Sequence, residues 1–252
     1  MTAEAPLLSA RGLVVRYGDY VAVNGASFDV RRNEVHALIG PNGAGKSTCF
    51  HVISGFVQPS VGEVLFDGRN LVGIASWKRA RMGLIRSFQI SAIFSEISVL
   101  DNVVAAIARR EGKTTSLWSK RDASGAFADE AITHLARVGL ERDGARQAGL
   151  LSYGQKRALE IATTLAMRPS MMRLDGPTAG MTDYDVHKIM DLLASIAGGQ
   201  TILMVEHNLK VVSSLCHQVT VLQRGEIICS GTYETVSADP NVKAAYLGRA
   251  KK

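Results

Sequence analysis

The chain has 252 residues, of which 46% are hydrophobic and 21% are charged, and its formal net charge is +6 at pH 7. This composition is that of an ordinary globular protein with one sizeable core, and no apolar run approaches the roughly 18 to 20 residues that a membrane-spanning helix needs. The positive charge is scattered, so it is compatible with acidic ligands such as nucleotides, but its densest runs, 78–81 and 109–110, are typical of solvated faces rather than of a nucleic-acid surface.

The three cysteines, Cys49, Cys216 and Cys229, form no C-x-x-C pair and no spacing typical of metal ligands. We interpret them as small buried residues in a reducing compartment. The amino terminus lacks a basic segment followed by an apolar one, so no signal peptide is expected. We therefore expect a soluble, cytoplasmic protein that meets a membrane only through a partner.

Predicted strands and helices alternate along the chain. Apolar or alternating segments predict strands at 13–17, 26–30, 35–39, 64–68, 171–175, 201–205 and 219–222. Helices are predicted at 47–54, 99–109 and 126–138, within a mostly helical stretch from about Ser91 to Met167. This order predicts an α/β fold with a mostly parallel sheet covered by helices on both faces and a lobe of inserted helices.

A glycine-rich segment follows the predicted strand 35–39 and spells G-x-x-x-x-G-K-S. Its glycines let successive backbone N–H groups point at phosphate oxygens, and the helix that follows offers its positive end to the same anion. Lys46 is expected to reach the β- and γ-phosphates, and the Ser47 hydroxyl to ligate Mg²⁺. The predicted nucleotide-binding residues of this loop are Gly40, Pro41, Asn42, Gly43, Ala44, Gly45, Lys46, Ser47 and Thr48.

Further motifs lie downstream in a fixed order. Leu151-Ser152-Tyr153-Gly154-Gln155 is followed by an apolar strand that ends at Asp175, and a later apolar strand leads to His207. With the glycine-rich loop, these motifs resemble the ATP-binding cassette (ABC) ATPases over essentially the whole chain. Within that family, the runs 151–162, 179–181, 205–208 and 245–248 look like the ATP-binding subunits of branched-chain amino-acid importers.

The resemblance implies one ABC ATPase domain over residues 1–252. Its nucleotide-binding core would be a P-loop NTPase core with a mostly parallel sheet and N-terminal antiparallel strands, formed by about 1–90 and 168–252. The inserted helical subdomain, which carries the signature motif, would cover about 91–167.

The resemblance also implies roles for single residues. Tyr17 matches the aromatic residue that stacks on adenine, although an ordinary strand aromatic would look the same. Gln89 matches the glutamine that contacts Mg²⁺ or the attacking water and faces the transport subunit. His207 matches the switch histidine that senses the γ-phosphate, and a structural histidine is the alternative.

The signature motif is expected to serve a nucleotide held by the opposite subunit. Ser152, Gly154 and Gln155 match the residues that offer hydroxyl and backbone N–H groups to that γ-phosphate at the start of a helix. A plain helix N-cap serine is compatible with this role. Tyr153 stands where many family members have glycine.

The catalytic position departs from the family pattern. Asp175 is expected to hold Mg²⁺ through water, but the glutamate that normally follows it and polarises the attacking water is replaced by Gly176. Losing a general base typically lowers a rate roughly 10²- to 10⁴-fold. Arg173 inside the predicted strand is a second departure, because a buried charge is costly unless it is paired. Thr182, where many members have aspartate, is a third.

The sequence therefore predicts an ATP-binding subunit of an importer, working with ATP and Mg²⁺ as half of a head-to-tail dimer. Its own site is expected to be slow or inactive, while its signature motif completes the site of a partner. The expected partners are transmembrane permease subunits on the inner face of the cell membrane, a second ABC ATPase subunit and, indirectly, an extracytoplasmic solute-binding protein. A sister chain is favoured over an identical one, because two copies of Gly176 would leave both sites without a base.

Two other classes remain open. A soluble ABC ATPase acting on nucleic acid or ribosomes usually has tandem cassettes, zinc modules or a long coiled coil, and none is present in this sequence. A non-hydrolysing ATP-binding regulator is supported by Gly176 and Arg173. Branched-chain amino acids are the preferred solute, with urea, amides and aromatic acids as alternatives.

Overall fold

The structure is a computed structural model that describes residues 5–87, 93–113 and 121–247, with only the backbone for 121–126 and 247. Its residues form two compact units, one made of residues up to Leu84 together with residues from Ile196 onward, and the other of Ile85–Ser195. The predicted division into a core of about 1–90 and 168–252 and a subdomain of about 91–167 remains a prediction.

Strands and helices alternate through the described residues, as the sequence predicts. The strands are β1 (Leu8–Tyr17), β2 (Tyr20–Val30), β3 (Val35–Ile39), β4 (Val61–Phe66), β5 (Arg69–Asn70), β6 (Leu84–Arg86), β7 (Met171–Asp175), β8 (Thr201–Val205), β9 (Gln218–Gln223) and β10 (Glu226–Gly231). The α-helices are α1 (Lys46–Ser54), α2 (Ser76–Arg81), α3 (Val99–Arg110), α4 (Arg121–Arg137), α5 (Tyr153–Ala166), α6 (Asp183–Ala197), α7 (Leu209–Leu215), α8 (Tyr233–Ala238) and α9 (Pro240–Leu247).

An antiparallel sheet of order β2-β1-β4-β5 opens the first unit. In the β1–β2 hairpin, Leu8 lies opposite Val30 and Tyr17 lies opposite Tyr20, with register shifts between these ends. Gly18 has a φ of +58°, which suits the tight turn between the two strands. The predicted N-terminal antiparallel strands are confirmed, and β1 begins five residues earlier than predicted, at Leu8 rather than Leu13.

The first unit also contains the parallel strands that carry the core. β3 pairs in parallel with β8 and with β9, and β10 is antiparallel to β9. Every residue of β3 and β8 is buried. Such continuous burial is typical of parallel strands covered on both faces, so the predicted α/β fold with a mostly parallel sheet is confirmed.

A buried arginine fixes the end of helix α1. Arg79 of α2 is 2% exposed, and burial lowers the pKa of its guanidinium. The guanidinium donates hydrogen bonds to four backbone carbonyls, those of Val52, Ile53, Leu71 and Ile74. Gly55, the C-cap of α1, has a φ of +80°, and a Cβ there would lie 2.8 Å from the Arg79 Nε. A cation at a helix C-terminus is favourable, so Arg79 stabilises α1 at the end opposite the glycine-rich loop.

The second unit is built around three helices, α3, α4 and α5. Their buried faces form one apolar cluster that includes Val103, Ile107, Leu135, Leu159 and Ala162. The predicted helices at 99–109 and 126–138 correspond to α3 and to most of α4. None of the described helices combines the length and the apolar character needed to cross a membrane.

The cysteines differ from the prediction that all three are buried. Cys49 of α1 is buried, whereas Cys216 and Cys229 are partly exposed. Burial raises the pKa of Cys49 and of Cys216 to about 12, and it also raises the pKa of Cys229. Residues 216 and 229 lie at a helix end and in the terminal strand β10, where one side remains near solvent.

Candidate nucleotide-binding site

The glycine-rich loop adopts a backbone that requires glycine. Gly40, Gly43 and Gly45 have φ values of +144°, +77° and +100°. A Cβ at Gly40 would lie 2.1 Å from the backbone oxygen of Leu222, and one at Gly45 would lie 2.6 Å from that of Ala22. The loop therefore packs closely against the backbone at two of its glycines, and side chains are excluded there.

Lys46 is held inside this loop. Its side chain is buried, with 5% of the residue exposed, and its Nζ donates hydrogen bonds of 2.8 Å and 2.9 Å to the carbonyls of Gly40 and Pro41. Lys46 is the first residue of α1, and Gly45 is its N-cap. Ser47 is exposed and Thr48 is partly exposed at the same helix start. A positive charge and free hydroxyls thus lie at the positive end of a helix, which is favourable for a phosphate.

A distant turn supports the loop. Gly225, in the turn between β9 and β10, donates its N–H to the Ala44 carbonyl at 3.0 Å and accepts one from Asn24 of β2 at 2.8 Å. The neighbouring Arg224 has a φ of +52°. No role of this turn was predicted, although a glycine between two strands is a turn signal.

A cavity of about 170 Å³ opens beside the loop in the first unit. It is lined by Tyr17, Tyr20, Ala22, Gly43, Ala44, Gly45, Lys46, Ser47 and Thr48. Most of these are predicted site residues, and Asn42 lies in the same loop, exposed. Tyr20 and Ala22 were not predicted, because nothing in their local sequence indicates that β2 passes the loop.

His207 lies in the first unit, just after β8, and is exposed. Its backbone N–H donates a 2.7 Å hydrogen bond to the carboxylate of Glu206, which is only 2% exposed. Asn208 then caps α7 by accepting the N–H of Lys210. The histidine ring is therefore presented on a backbone that is fixed on both sides.

The second unit contains the end of strand β7, where the catalytic aspartate is predicted. The Oδ2 of Asp175 lies 3.2 Å from the Nη2 of Arg86, and both side chains are partly exposed. Gly176 follows with a φ of +55°, and its carbonyl accepts the N–H of Ala179 at 3.0 Å. A Cβ at position 176 would lie 3.2 Å from the Ala179 Cβ. The glycine is thus in a left-handed turn that other residues adopt at a cost of about 1–2 kcal/mol.

The second unit contains buried charges in strand β7 and on helix α5. Arg173 of β7 is 1% exposed, and its carbonyl accepts the N–H of Ser87. On α5, Arg157 and Glu160 form a buried ion pair with a short hydrogen bond. Burial raises the pKa of Glu160, and the charge of Arg157 opposes that shift.

The signature motif begins helix α5 with a complete capping box. The Ser152 Oγ accepts the Gln155 N–H at 3.3 Å, and the Gln155 Oε1 accepts the Ser152 N–H at 3.1 Å. A Cβ at Gly154 would lie 2.6 Å from the Asp185 Oδ1, so a side chain there would require Asp185 to shift. The Tyr153 hydroxyl donates to the Ala179 carbonyl at 3.0 Å.

The predicted site residues fall in both units. Tyr17, the loop 40–48 and His207 belong to the first unit, and Asp175, Ser152, Gly154 and Gln155 belong to the second. Gln89 lies outside the described residues.

Family models match two regions of the chain. A model described as "ABC transporter" matches residues 23–179. A second, described as "Branched-chain amino acid ATP-binding cassette transporter", matches residues 226–252. The second region contains β10, α8 and α9.

Relatives and solved structures match over nearly the full chain. The chain is 37% identical to the high-affinity branched-chain amino acid transport ATP-binding protein LivG of Salmonella typhimurium, over 97% of this chain and 99% of that protein. It is 35% identical to BraF of Pseudomonas aeruginosa, a protein with the same description, with the same coverage. The crystal structure of the ADP conformation of MJ1267, an ATP-binding cassette of an ABC transporter, has a TM-score of 0.84 and 28% identity, covering 97% of this chain and all of that one. The chain belongs to the ATPase family of the ABC transporters.

Proposed function

We propose that the chain is the ATP-binding subunit of an importer for branched-chain amino acids or a related small polar solute. The observation that carries this proposal is the glycine-rich loop with its buried Lys46, in a chain whose full-length relatives are branched-chain amino-acid transport ATP-binding proteins. The C-terminal match to a branched-chain amino-acid transporter model supports the same solute class.

ATP binding is assigned to the first unit. The loop residues 40–48 would hold the phosphates, with the ammonium of Lys46 on the β- and γ-phosphates, and Tyr17 would stack on adenine. The half-exposed Tyr17 ring and the loop line the same cavity, which supports this assignment. His207 would sense the γ-phosphate.

The residues that would hold Mg²⁺ supply oxygen atoms, which this ion prefers as ligands. They are the exposed Ser47 hydroxyl, the partly exposed Asp175 carboxylate and Gln89. Mg²⁺ is usually bound by one or two protein groups together with substrate phosphates. When bound, Mg²⁺ would neutralise charge that develops on the transferred phosphoryl group.

Hydrolysis at this chain's own ATP site is proposed to be slow. Gly176 has no side chain to orient water or accept a proton, and a general base typically contributes roughly 10²- to 10⁴-fold. The buried Glu206 carboxylate accepts the N–H of His207, so it is already engaged in the first unit. Nucleotide binding is preserved, because the loop residues do not depend on position 176.

The signature motif is proposed to complete the site of a second ABC ATPase subunit in a head-to-tail dimer. Ser152 and Gln155 fix the start of α5 through their capping box, and the positive end of a helix is favourable for a phosphate. A sister chain with its own glutamate would supply the active site of such a dimer. Closure of the dimer on ATP would rearrange the permease subunits, and hydrolysis would reset it.

The location follows from these partners. The chain would lie on the inner face of the cell membrane, attached through transmembrane permease subunits, with an extracytoplasmic binding protein acting on the same permease. Purification of the tagged chain from native membranes tests this: co-purification of hydrophobic permease subunits supports it. Enrichment with RNA or ribosomes would contradict it in favour of a soluble ABC ATPase.

Single-turnover ATP hydrolysis tests the assignment of the catalytic position. Gly176→Glu is expected to raise the rate roughly 10²- to 10⁴-fold, because it supplies the missing carboxylate. Gly176→Gln is the matched control, since it has the same backbone strain of about 1–2 kcal/mol but no base. ATP affinity should change little in either variant. Equal turnover in the original chain and in Gly176→Glu would show that another residue positions the water.

Gly176 also supports a second candidate, an ATP-binding regulator that does not hydrolyse ATP. Both candidates bind ATP, so they are distinguished by partners. A regulator would bind ATP without permease subunits in the same purification, whereas the importer subunit requires them.

A further inference from the structure

A second aromatic ring faces the nucleotide cavity. Tyr17 and Tyr20 are directly opposite partners at the end of the β1–β2 hairpin. Directly opposed residues of an antiparallel pair project from the same face of the sheet, with Cβ atoms about 4.5–5.5 Å apart. Both residues line the cavity together with the phosphate-binding loop. The nucleotide-facing side of the hairpin therefore carries two tyrosines, not one.

Both rings have free surface. Tyr17 is 50% exposed and Tyr20 is 60% exposed. Within the described part of the chain, neither ring stacks on another aromatic side chain. Large aromatic side chains that stay exposed beside a concave site are typical of ligand-binding surfaces. The ring of Tyr20 therefore has exposed surface that is available to a ligand in the cavity.

Strand β2 places Tyr20 next to the loop. Ala22 is two residues further along β2, so its side chain is on the same face as that of Tyr20. The Ala22 carbonyl oxygen lies 2.6 Å from the position of a Cβ on Gly45. Asn24 of the same strand bonds to Gly225, which in turn bonds to Ala44. The position of Tyr20 relative to the loop is therefore set by the contacts that the next residues of β2 make near the loop.

We propose that Tyr20 forms a second aromatic surface for the nucleotide base, and that the two tyrosines accept adenine and guanine with little discrimination. The inference rests on the proposed role of the loop in holding the triphosphate. Stacking on aromatic rings tolerates every base, because each base has a π-face. Strong discrimination between similar ligands requires buried hydrogen-bonding groups directed at their differences. The other side chains that line the cavity are Ala22, Ala44, Lys46, Ser47 and Thr48, and the last three are at the phosphate end.

The test is equilibrium binding of ATP, GTP and inorganic tripolyphosphate to the purified chain. Tyr20→Leu keeps an apolar side chain but removes the ring, and it is expected to weaken ATP and GTP binding about 5- to 100-fold. Tripolyphosphate has no base, so its affinity should stay within about twofold. Tyr20→Phe should bind ATP like the original chain, because it keeps the ring. In the original chain, GTP should bind within about tenfold of ATP.

Tyr184→Leu is the matched control, because Tyr184 is 69% exposed on α6 of the second unit. It should leave all three affinities unchanged. Unaltered ATP affinity in Tyr20→Leu would overturn the role of the second ring, and so would an equal loss for ATP and tripolyphosphate. GTP binding more than about 100-fold weaker than ATP binding would overturn the base tolerance. A chain that binds neither ATP nor tripolyphosphate would contradict the proposed nucleotide site itself, independently of Tyr20.

Discussion

The glycine-rich loop and the end of strand β7 differ in how many of their expected site residues are present. The loop has its glycines, its buried Lys46 and its hydroxyls, and the backbone of β2 and of the turn at Gly225 braces it. At the end of β7, Asp175 is present beside Arg86, but the next position is a glycine in a left-handed turn. In the proposed assignment, nucleotide binding and water activation use separate residues, so nucleotide binding would be retained where water activation is lost.

The largest effect is expected from a substitution in the glycine-rich loop, where the expected residues are present. Gly45→Ala would place a Cβ 2.6 Å from the Ala22 carbonyl oxygen at a φ of +100°. Backbone strain of about 1–2 kcal/mol and overpacking of about 1–3 kcal/mol should together lower the free energy of unfolding by roughly 2–5 kcal/mol. ATP affinity should fall with it. Thermal unfolding and nucleotide titration measure the two effects.

Gly43→Ala is the matched control for this prediction. Gly43 has a φ of +77°, but a Cβ there would meet nothing within 4 Å. It should therefore show only the strain of about 1–2 kcal/mol. If Gly43→Ala and Gly45→Ala destabilise the chain equally, the close approach of β2 to the loop is not what fixes the loop.

A smaller effect is expected from a substitution at the end of β7, where the usual glutamate is replaced by Gly176. Arg86→Gln removes a cation 3.2 Å from the carboxylate of Asp175. Because a nearby like charge disfavours a bound cation, the Mg²⁺ concentration for half-maximal effect on ATP binding should fall about two- to fivefold. ATP affinity without Mg²⁺ should be unchanged. Titrations of ATP binding at several Mg²⁺ concentrations measure this.

Arg146→Gln provides a control, because Arg146 pairs with Asp143 on an exposed part of the second unit. It should leave the Mg²⁺ dependence as it is. An increased requirement for Mg²⁺ in Arg86→Gln would mean that the arginine orients Asp175 instead of competing with the ion.

The smallest effect is expected from a substitution outside both the glycine-rich loop and the end of β7. A hydrogen bond and the charge of Arg110 lower the pKa of Glu130 from 4.5 to about 2. A carboxyl group with a lowered folded-state pKa adds stability above its unfolded pKa, and this contribution is lost as the pH falls from 4.5 towards 2. Glu130→Gln should flatten the pH dependence of unfolding in this window, by at most about 1 kcal/mol.

Arg110→Gln should flatten the same window, since Arg110 is the largest cause of the shift. Both variants should bind ATP normally at pH 7. Denaturant unfolding between pH 2 and 7 checks the prediction. A pH profile that stays steep in Glu130→Gln would place the acid sensitivity elsewhere.

The local sequence pattern was sufficient to predict the central strands and the glycine-rich loop. Strands β3, β7 and β8 were predicted with their observed bounds, because strands buried on both faces are mostly apolar, although β3 contains His36 and β7 contains Arg173. The edge strands β5 and β6 were missed, since they have only two and three residues. Helices α7 and α8, with seven and six residues, were missed for the same reason.

The supports of the site could not be predicted in the same way. Tyr20 lines a cavity together with loop residues that are distant in sequence. The turn at Gly225 and the buried Arg79 form hydrogen bonds to loop and helix residues that are also distant. Such contacts are set by the pairing of strands and by packing, and no motif spacing encodes them. Gly176 is the opposite case, because its identity was clear from the motif while its left-handed turn required the structure.

The state of the three cysteines has a practical consequence for labelling. A thiol must ionise before it attacks maleimides or iodoacetamide, and raised pKa values keep Cys49, Cys216 and Cys229 protonated at neutral pH. An introduced surface cysteine with an ordinary pKa would therefore react faster than the native ones. Fluorescent or spin labels could be attached to an otherwise unaltered chain, and thiol reagents should not inactivate its nucleotide loop through Cys49.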